Sequence, residues 1–347
     1  PFPGSGLRAV RPAGRLQLTL THPARVPAKT IISMSIMKGV ILAAGKGSRL
    51  FPVTHHIPKP LLPLANKLTL EYAFNRLKEI GVTDICLVVG ENEPAMREAL
   101  GDGSARGVQL SYVRQPEPKG LAHAVGFTQE FVAGEDFVLY LGDAIYSHDF
   151  KTLAAQFKES GAANLNMVKP VEDPRRFGVA VVEGDRIVEL VEKPAEPKSN
   201  LAMAGLYFFG PQIWEVLPGL QPSARGEYEI TDAIQLLVNR GDKVLAGIYE
   251  EQWFDTGTLD SFLDTSRFLA GQGQLIAGDA QLTGTAGQHV VIGTGASVTC
   301  TEIEDSVVMP GAVVNVAGAI RHSILAGNVT ADGDLEGEIR YGDQRRE

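Results

Sequence analysis

Disulfide chemistry has little to work with in this chain, since Cys86 and Cys300 are the only cysteines among 347 residues. Two isolated thiols make no disulfide framework, and a reducing cytoplasm is the expected setting. No run of about 18 apolar residues occurs, so there is no candidate for a membrane-spanning helix and no membrane partner is expected. Excess positive charge is missing too: 32 Lys and Arg stand against 41 Asp and Glu, for a net charge of −9. An acidic body argues against nucleic acid as a partner, because phosphate backbones demand clustered cations. Any anionic ligand has to be held by local cations instead.

Two common phosphate motifs are also missing. A Walker-type loop requires Lys and Ser or Thr after its last glycine, and Gly47 is followed by Ser48-Arg49. The dinucleotide fingerprint requires a third glycine where Leu50 stands, and no acidic residue follows at the expected distance in a second strand. What is present is Val40-Ile41-Leu42, a short β-branched run that reads as a buried strand, leading into Ala43-Ala44-Gly45-Lys46-Gly47. Glycines in such a loop let backbone N–H groups approach an anion closely. Arg49 and Lys59 add two cations nearby, with Pro52, Thr54 and Pro58-Lys59-Pro60 in register, so the natural guest is a polyphosphate.

Residues 1–36 carry five basic side chains and no acidic one, without the apolar core of a signal peptide. They are read as a disordered upstream or tag segment ahead of Met37. Leu70, Ala73, Phe74, Leu77 and Ile80 then recur at helical spacing up to Gly81. A strand over 84–89, a helix over 94–100 and a strand over 108–113 continue the alternation, which is the α/β pattern with ligands at the carboxyl ends of strands. Gly120 precedes a helix containing His123, and Phe137 to Leu141 is a strand with Asp143 just past its tip, where a carboxylate suits Mg²⁺ as well as a turn. Glu192-Lys193 ends another strand. Residues 223–232 open a further helix, which Thr231 or Asp232 could cap, and Asp255 lies between Phe254 and Thr256-Gly257.

From about residue 270 small residues, valines and glycines take over. The segments beginning at Ile292, Val308 and Leu325 are imperfect hexapeptide copies 16 and 17 residues apart, near one coil of a β-helix each. Roughly three coils, with His289 and His322 as the only candidate bases, favour a structural or oligomerising tail over an acyltransferase.

Taken in order, the loop from Lys38 to Pro60, Gly120-Leu121-Ala122-His123-Ala124-Val125, Glu192-Lys193-Pro194, Arg225-Gly226-Glu227 and Asp255-Thr256-Gly257 resemble the signature of the sugar-1-phosphate nucleotidyltransferases. The closest form is the long-form glucose-1-phosphate thymidylyltransferases with a C-terminal left-handed β-helix, and the resemblance runs from Met37 to about Tyr341. It implies a Rossmann-like, GT-A-like mixed sheet flanked by helices over 37–268, and a short parallel β-helix over 269–347. It further implies attack of a sugar 1-phosphate on the α-phosphorus of a nucleoside triphosphate, with Mg²⁺ on Asp143 and Asp255 and pyrophosphate leaving. Arg49, Lys59 and Asp143 are then the catalytic set. Ala43, Ala44, Gly45, Gly47, Ser48, Gly120 and His123 seat the nucleotide, while Gly178, Glu192, Lys193, Tyr207 and Arg225 hold the sugar phosphate. Ala144 departs from the asparagine usual in the family, and His123 from the glutamine of many short forms. A homo-oligomer is expected. The resemblance favours dTTP as donor and glucose 1-phosphate as acceptor, giving dTDP-glucose and pyrophosphate; left open are UTP or GTP as donor, which covers uridylyl and mannose guanylyl transfer, the hexose itself, and a regulatory subunit that binds nucleotide-sugars without turnover.

Overall fold

Apolar β-branched runs become the strands of a nine-stranded mixed sheet in a computed structural model that describes residues 37–271 and 273–346. The reading of 1–36 lies outside the described residues. Across the sheet the order is Gln109–Arg114, Asp84–Val89, Lys38–Leu42, Phe137–Leu141, Leu201–Phe209, Asn164–Pro170, Val244–Ile248, Arg186–Glu192 and Gly178–Glu183. The first four run parallel, and Leu201–Phe209 turns antiparallel against Phe137–Leu141. Val40 and Ile41, both fully buried, enter separate hydrophobic clusters on opposite faces of this sheet, as a period of two requires. Helix Thr69–Glu79 covers one face with Leu70, Phe74 and Leu77, and helix Ile230–Asn239 covers the other with Ile230, Ile234 and Leu237. Each such side chain contributes about 1.5–3 kcal/mol on full burial.

The second of these helices starts later than its sequence suggests. Residues 223–229 are a loop closed by the Ser223 N–H to the Glu227 carbonyl, and Glu229 occupies the N-cap without a capping side-chain bond. Neither Thr231 nor Asp232 caps it. Both lie inside the first turn, and the Thr231 hydroxyl donates instead to Glu192 Oε2 at 3.1 Å.

Beyond helix Leu259–Ala270 the chain coils into a parallel β-helix. Among the described residues one of its ladders stacks Gln274–Ile276, Val290–Ile292, Ser306–Val308, Ile324–Ala326 and Ile339–Tyr341, five rungs rather than roughly three coils. The terminal rungs escape the repeat pattern because their residues are irregular, as in Ile339-Arg340-Tyr341. Register steps of 16, 17 and 15 residues blur the period as well. Val290, Val298, Val308, Val314 and Leu325 fill the interior. A separate cluster joins the coils to the α/β sheet region: Leu50, Val53, Leu62, Leu64, Leu259 and Phe262 pack with Val291, Met309, Ile324 and Ile339.

Candidate active site

The glycine loop leaves strand Lys38–Leu42 at the carboxyl edge of the parallel strands, where Ala43, Ala44 and Gly45 line a cavity of about 780 Å³. Gly47 has φ 65°, and a Cβ there would stand 3.0 Å from the Lys59 Cβ, so loop and lysine fit only without a side chain. The Thr54 hydroxyl donates to the Gly47 carbonyl at 2.8 Å, which gives a physical reason for a hydroxyl at this spacing. Leu50 is sunk in the core next to Arg49, whose guanidinium is thereby aimed over Gly257 beside Asp255: both groups come within 3 Å of where a Gly257 Cβ would be.

Lys59 is almost entirely buried and reaches Asp143 Oδ2 at 2.5 Å. Burial alone would raise the Asp143 carboxyl, but the Lys59 ammonium and its hydrogen bond, with Arg49 behind them, hold it below the usual carboxylate range. Asp143 and Asp255 meet because Ala144–Tyr146 and Trp253–Asp255 form a two-stranded antiparallel ladder with Asp255 opposite Ala144. The Thr256 hydroxyl locks that end by donating to the Asp143 carbonyl at 2.9 Å. Among the described residues no three His, Cys, Asp or Glu side chains are placed to hold a metal ion. Two carboxylates at one edge of this cavity nevertheless suit a hard divalent ion that takes its remaining ligands from phosphate oxygens and water.

On the far wall Lys193 holds a left-handed backbone (φ 45°) while its N–H donates to the Phe177 carbonyl at 3.0 Å. Such a conformation is costly for a lysine and persists because the loop fixes it. Its ammonium lies 3.5 Å from Glu192 Oε1, and Arg225 contacts Glu192, Glu227 and Glu229 at 3.5, 3.2 and 3.4 Å. Two cations are thus presented on a carboxylate frame. At the third corner Gly120 (φ 104°) lies so close to Tyr228 that a Cβ would be 2.5 Å from its carbonyl oxygen. Gln115 Nε2 donates to the Gly120 carbonyl at 3.2 Å and lies 3.0 Å from His123 Nδ1. Burial, then Lys119, pull the His123 imidazole below its ordinary value, so it is neutral at pH 7.

Of the residues singled out from sequence, Ala43, Ala44, Gly45, Arg49, Lys59, Gly120, Asp143, Glu192, Lys193, Arg225 and Asp255 line this one cavity. Gly47, Ser48, His123 and Gly178 stand behind or beside its wall. Tyr207 is not among the residues that line the cavity: it is 3% exposed and stacked near Phe209 in the core, behind the lining residues Met203 and Gly205 of the same strand. Sequence reasoning passed over Gln115, whose only signal is an amide immediately after a strand end, and the Thr231 bond to Glu192. The wall also includes Arg175 and Arg176, and Arg175 is tied to Asp173 at 2.8 Å.

Residues 38–272 match the family described as Nucleotidyl transferase. The chain is 40% identical over 328 residues to the low-salt glycan biosynthesis nucleotidyltransferase Agl11 of Haloferax volcanii, covering 83% of this chain and 92% of that protein. It is 38% identical over 307 residues to a glucose-1-phosphate thymidylyltransferase of Streptomyces antibioticus, covering 86% of this chain and 83% of the relative. Among solved structures, a putative glucose-1-phosphate thymidylyltransferase from Bacillus anthracis aligns with TM-score 0.63 and 36% identity, over 69% of this chain and 98% of its own. A UDP-glucose pyrophosphorylase complexed with UDP-glucose aligns with TM-score 0.61 and 29% identity, over 67% and 98%.

Proposed function

This chain belongs to the nucleotidyl transferase family, and from that premise we propose that it transfers a thymidylyl group from dTTP to glucose 1-phosphate, yielding dTDP-glucose and pyrophosphate. One observation carries the reading: a single cavity presents Arg49 and Lys59 on one wall, Lys193 and Arg225 on the opposite wall, and Asp143 with Asp255 between them. Two separately held anions, one on each cation pair, are what a sugar 1-phosphate meeting a triphosphate requires. Relatives along most of the chain carry the thymidylyltransferase name, which supports the donor and the hexose.

In this reading the sugar 1-phosphate oxygen attacks the α-phosphorus as the bond to pyrophosphate breaks. Both reactants are anionic and phosphorus is the electrophile, so no covalent residue is needed and the work is positioning and charge neutralisation. The backbone around Gly45 seats the triphosphate, Arg49 takes the charge that develops on the leaving pyrophosphate, and Lys59 steadies the α-phosphate while keeping Asp143 ionised. Lys193 and Arg225 hold the attacking phosphate. Glu192, fixed by Thr231, accepts sugar hydroxyls, and an analogue lacking them leaves this carboxylate unpaired, which is a strong source of discrimination. Gln115, anchored to the Gly120 carbonyl, offers its amide edge to the base. A Mg²⁺ ion held by Asp143 and Asp255 would neutralise charge on the phosphates.

The test is pyrophosphate release with each of dTTP, UTP, GTP and ATP crossed with glucose, galactose, mannose and N-acetylglucosamine 1-phosphates. Highest kcat/KM for dTTP with glucose 1-phosphate is expected. Preference for UTP would move the assignment to a uridylyltransferase, and no release with any pair would overturn the enzymatic reading.

A further inference from the structure

Gln115 follows directly on strand Gln109–Arg114, and its backbone N–H donates to the Val89 carbonyl at 2.8 Å, so its side chain enters the cavity wall from a fixed point. Its amide nitrogen has two partners. Nε2 donates to the Gly120 carbonyl at 3.2 Å and lies 3.0 Å from His123 Nδ1. A carbonyl only accepts, so the first contact settles which amide atom is the nitrogen. The second N–H of that nitrogen then needs an acceptor, and a neutral imidazole with its proton on Nε2 supplies one at Nδ1. The ring is held on two sides, edge-on to Phe127 with centroids 4.9 Å apart and stacked toward Tyr228 at 6.0 Å. Both N–H groups of the amide are thereby engaged, and no described residue donates to its Oε1.

We propose that His123 is a positioning residue that locks Gln115 with its oxygen toward the donor base, so that the site reads a ring N–H and takes thymine, uracil or guanine over cytosine and adenine. The inference rests on the reading that Gln115 faces the base, and it names what fixes the amide there. An acceptor aimed at the ring nitrogen matches the N3–H of thymine. Against cytosine, whose N3 carries a lone pair, two acceptors oppose one another and both stay unpaired. Thymine and uracil are equal to this lock, so the choice between dTTP and UTP is made by other contacts. The lock also has a pH limit. Burial, then the Lys119 ammonium, favour the neutral imidazole, while the Glu117 carboxylate and carbonyl act the other way, and the Phe127 and Tyr228 rings complete the surroundings. An imidazolium accepts nothing, so once His123 is protonated its Nδ1–H confronts the amide N–H. Turning the amide over sets Oε1 against the Gly120 carbonyl instead, and neither orientation satisfies both neighbours.

The test is pyrophosphate release at saturating glucose 1-phosphate with dTTP and with 5-methyl-dCTP, which share the methyl group and outline and differ at N3 and C4. Wild type is expected to favour dTTP in kcat/KM by roughly tenfold or more. His123→Phe keeps a ring and removes the acceptor; it should lower that preference about tenfold, mainly through the dTTP KM, the scale of one buried hydrogen bond left unmade. His123→Asn sets an amide oxygen near the place of Nδ1 and should restore the preference. Below about pH 6.5 the dTTP KM of wild type should rise relative to that of His123→Asn, which has no imidazole to protonate. Full preference in His123→Phe, a preference in His123→Asn as low as in His123→Phe, or superimposable pH profiles of wild type and His123→Asn would overturn the proposal. Equilibrium dialysis of the same two triphosphates without glucose 1-phosphate reads the preference as a ratio of Kd values. Absence of turnover with that ratio and its variant dependence intact would count against the catalytic reading alone.

Discussion

At Asp143 burial and a neighbouring ammonium act in opposite directions, and the ammonium prevails. Removing it should expose the burial effect: in Lys59→Ala the acid limb of the kcat/KM profile is expected to move to higher pH, because the carboxyl then protonates more readily. Turnover at pH 8 should fall by about 10²–10³, the scale for losing one preorganised charge contact. An unshifted acid limb would contradict the pairing, and near-normal pyrophosphate release would contradict the role of Lys59. Asp255→Asn removes one of the two carboxylates at the end of the ladder and should raise the Mg²⁺ concentration for half-maximal rate by at least tenfold. A titration that superimposes on wild type would count against it. These residues were legible in the sequence because each lies within two residues of a glycine or proline at a turn or strand end, where a charge beside the backbone has a reason to be. Gln115 and Thr231 were not, since an amide and a hydroxyl are ordinary near turns and helix starts. Only the fold brings Gln115 to Gly120 and Thr231 to Glu192.

Elements declared themselves where burial on both faces leaves continuous apolar runs, as in Phe137–Leu141, and where one apolar stripe marks a helix, as in Thr69–Glu79. The start of Ile230–Asn239 was misplaced because Ser223, Glu227 and Arg225 suit a loop and a first turn equally, and only tertiary pairing with Glu192 decides. The β-helix turn at His322 was read as a possible base and proves to be a clasp. His322 Nε2 and Nδ1 lie 2.7 Å from Asp260 and Asp305, while Arg267 bonds Asp305 at 2.6 Å and Asp264 at 2.5 Å. Partial burial alone would lower the imidazole pKa, but two carboxylates raise it above its ordinary value. A raised folded value means the clasp adds stability in full below about pH 6.5, and loses it as pH rises through the higher folded pKa. His322→Gln should therefore lie below wild type in Tm at pH 6, by about 2 °C for a contribution of about 1 kcal/mol or less at a partly exposed site. The gap should close toward pH 9. A gap of constant size from pH 5 to 9 would show that His322 acts through packing alone.

On the scale of the molecule, the β-helix is more than an appended tail, because its coils share one apolar cluster with the segment that follows the glycine loop. Leu50 ends the turn that carries Arg49 and Val53 opens the next helix, and both pack with Phe262 in the same cluster as Met309, Ile324 and Ile339. Loss of Phe262 leaves a cavity beneath that turn, at a cost of about 3–5 kcal/mol. Leu325→Ala makes a comparable hole of about 2–5 kcal/mol inside the coils, where Leu325 packs away from the junction. If the junction only adds stability, both variants should lower Tm and leave the triphosphate KM alone. If it also sets the loop, Phe262→Ala alone should raise the KM for dTTP, by roughly fivefold for about 1 kcal/mol of lost Arg49 positioning. We expect the second result, because Leu50, the one buried residue of the turn Ser48–Leu50, is directly bonded to Arg49. Equal KM values in the two variants at 25 °C would reduce the coils to a stabilising scaffold.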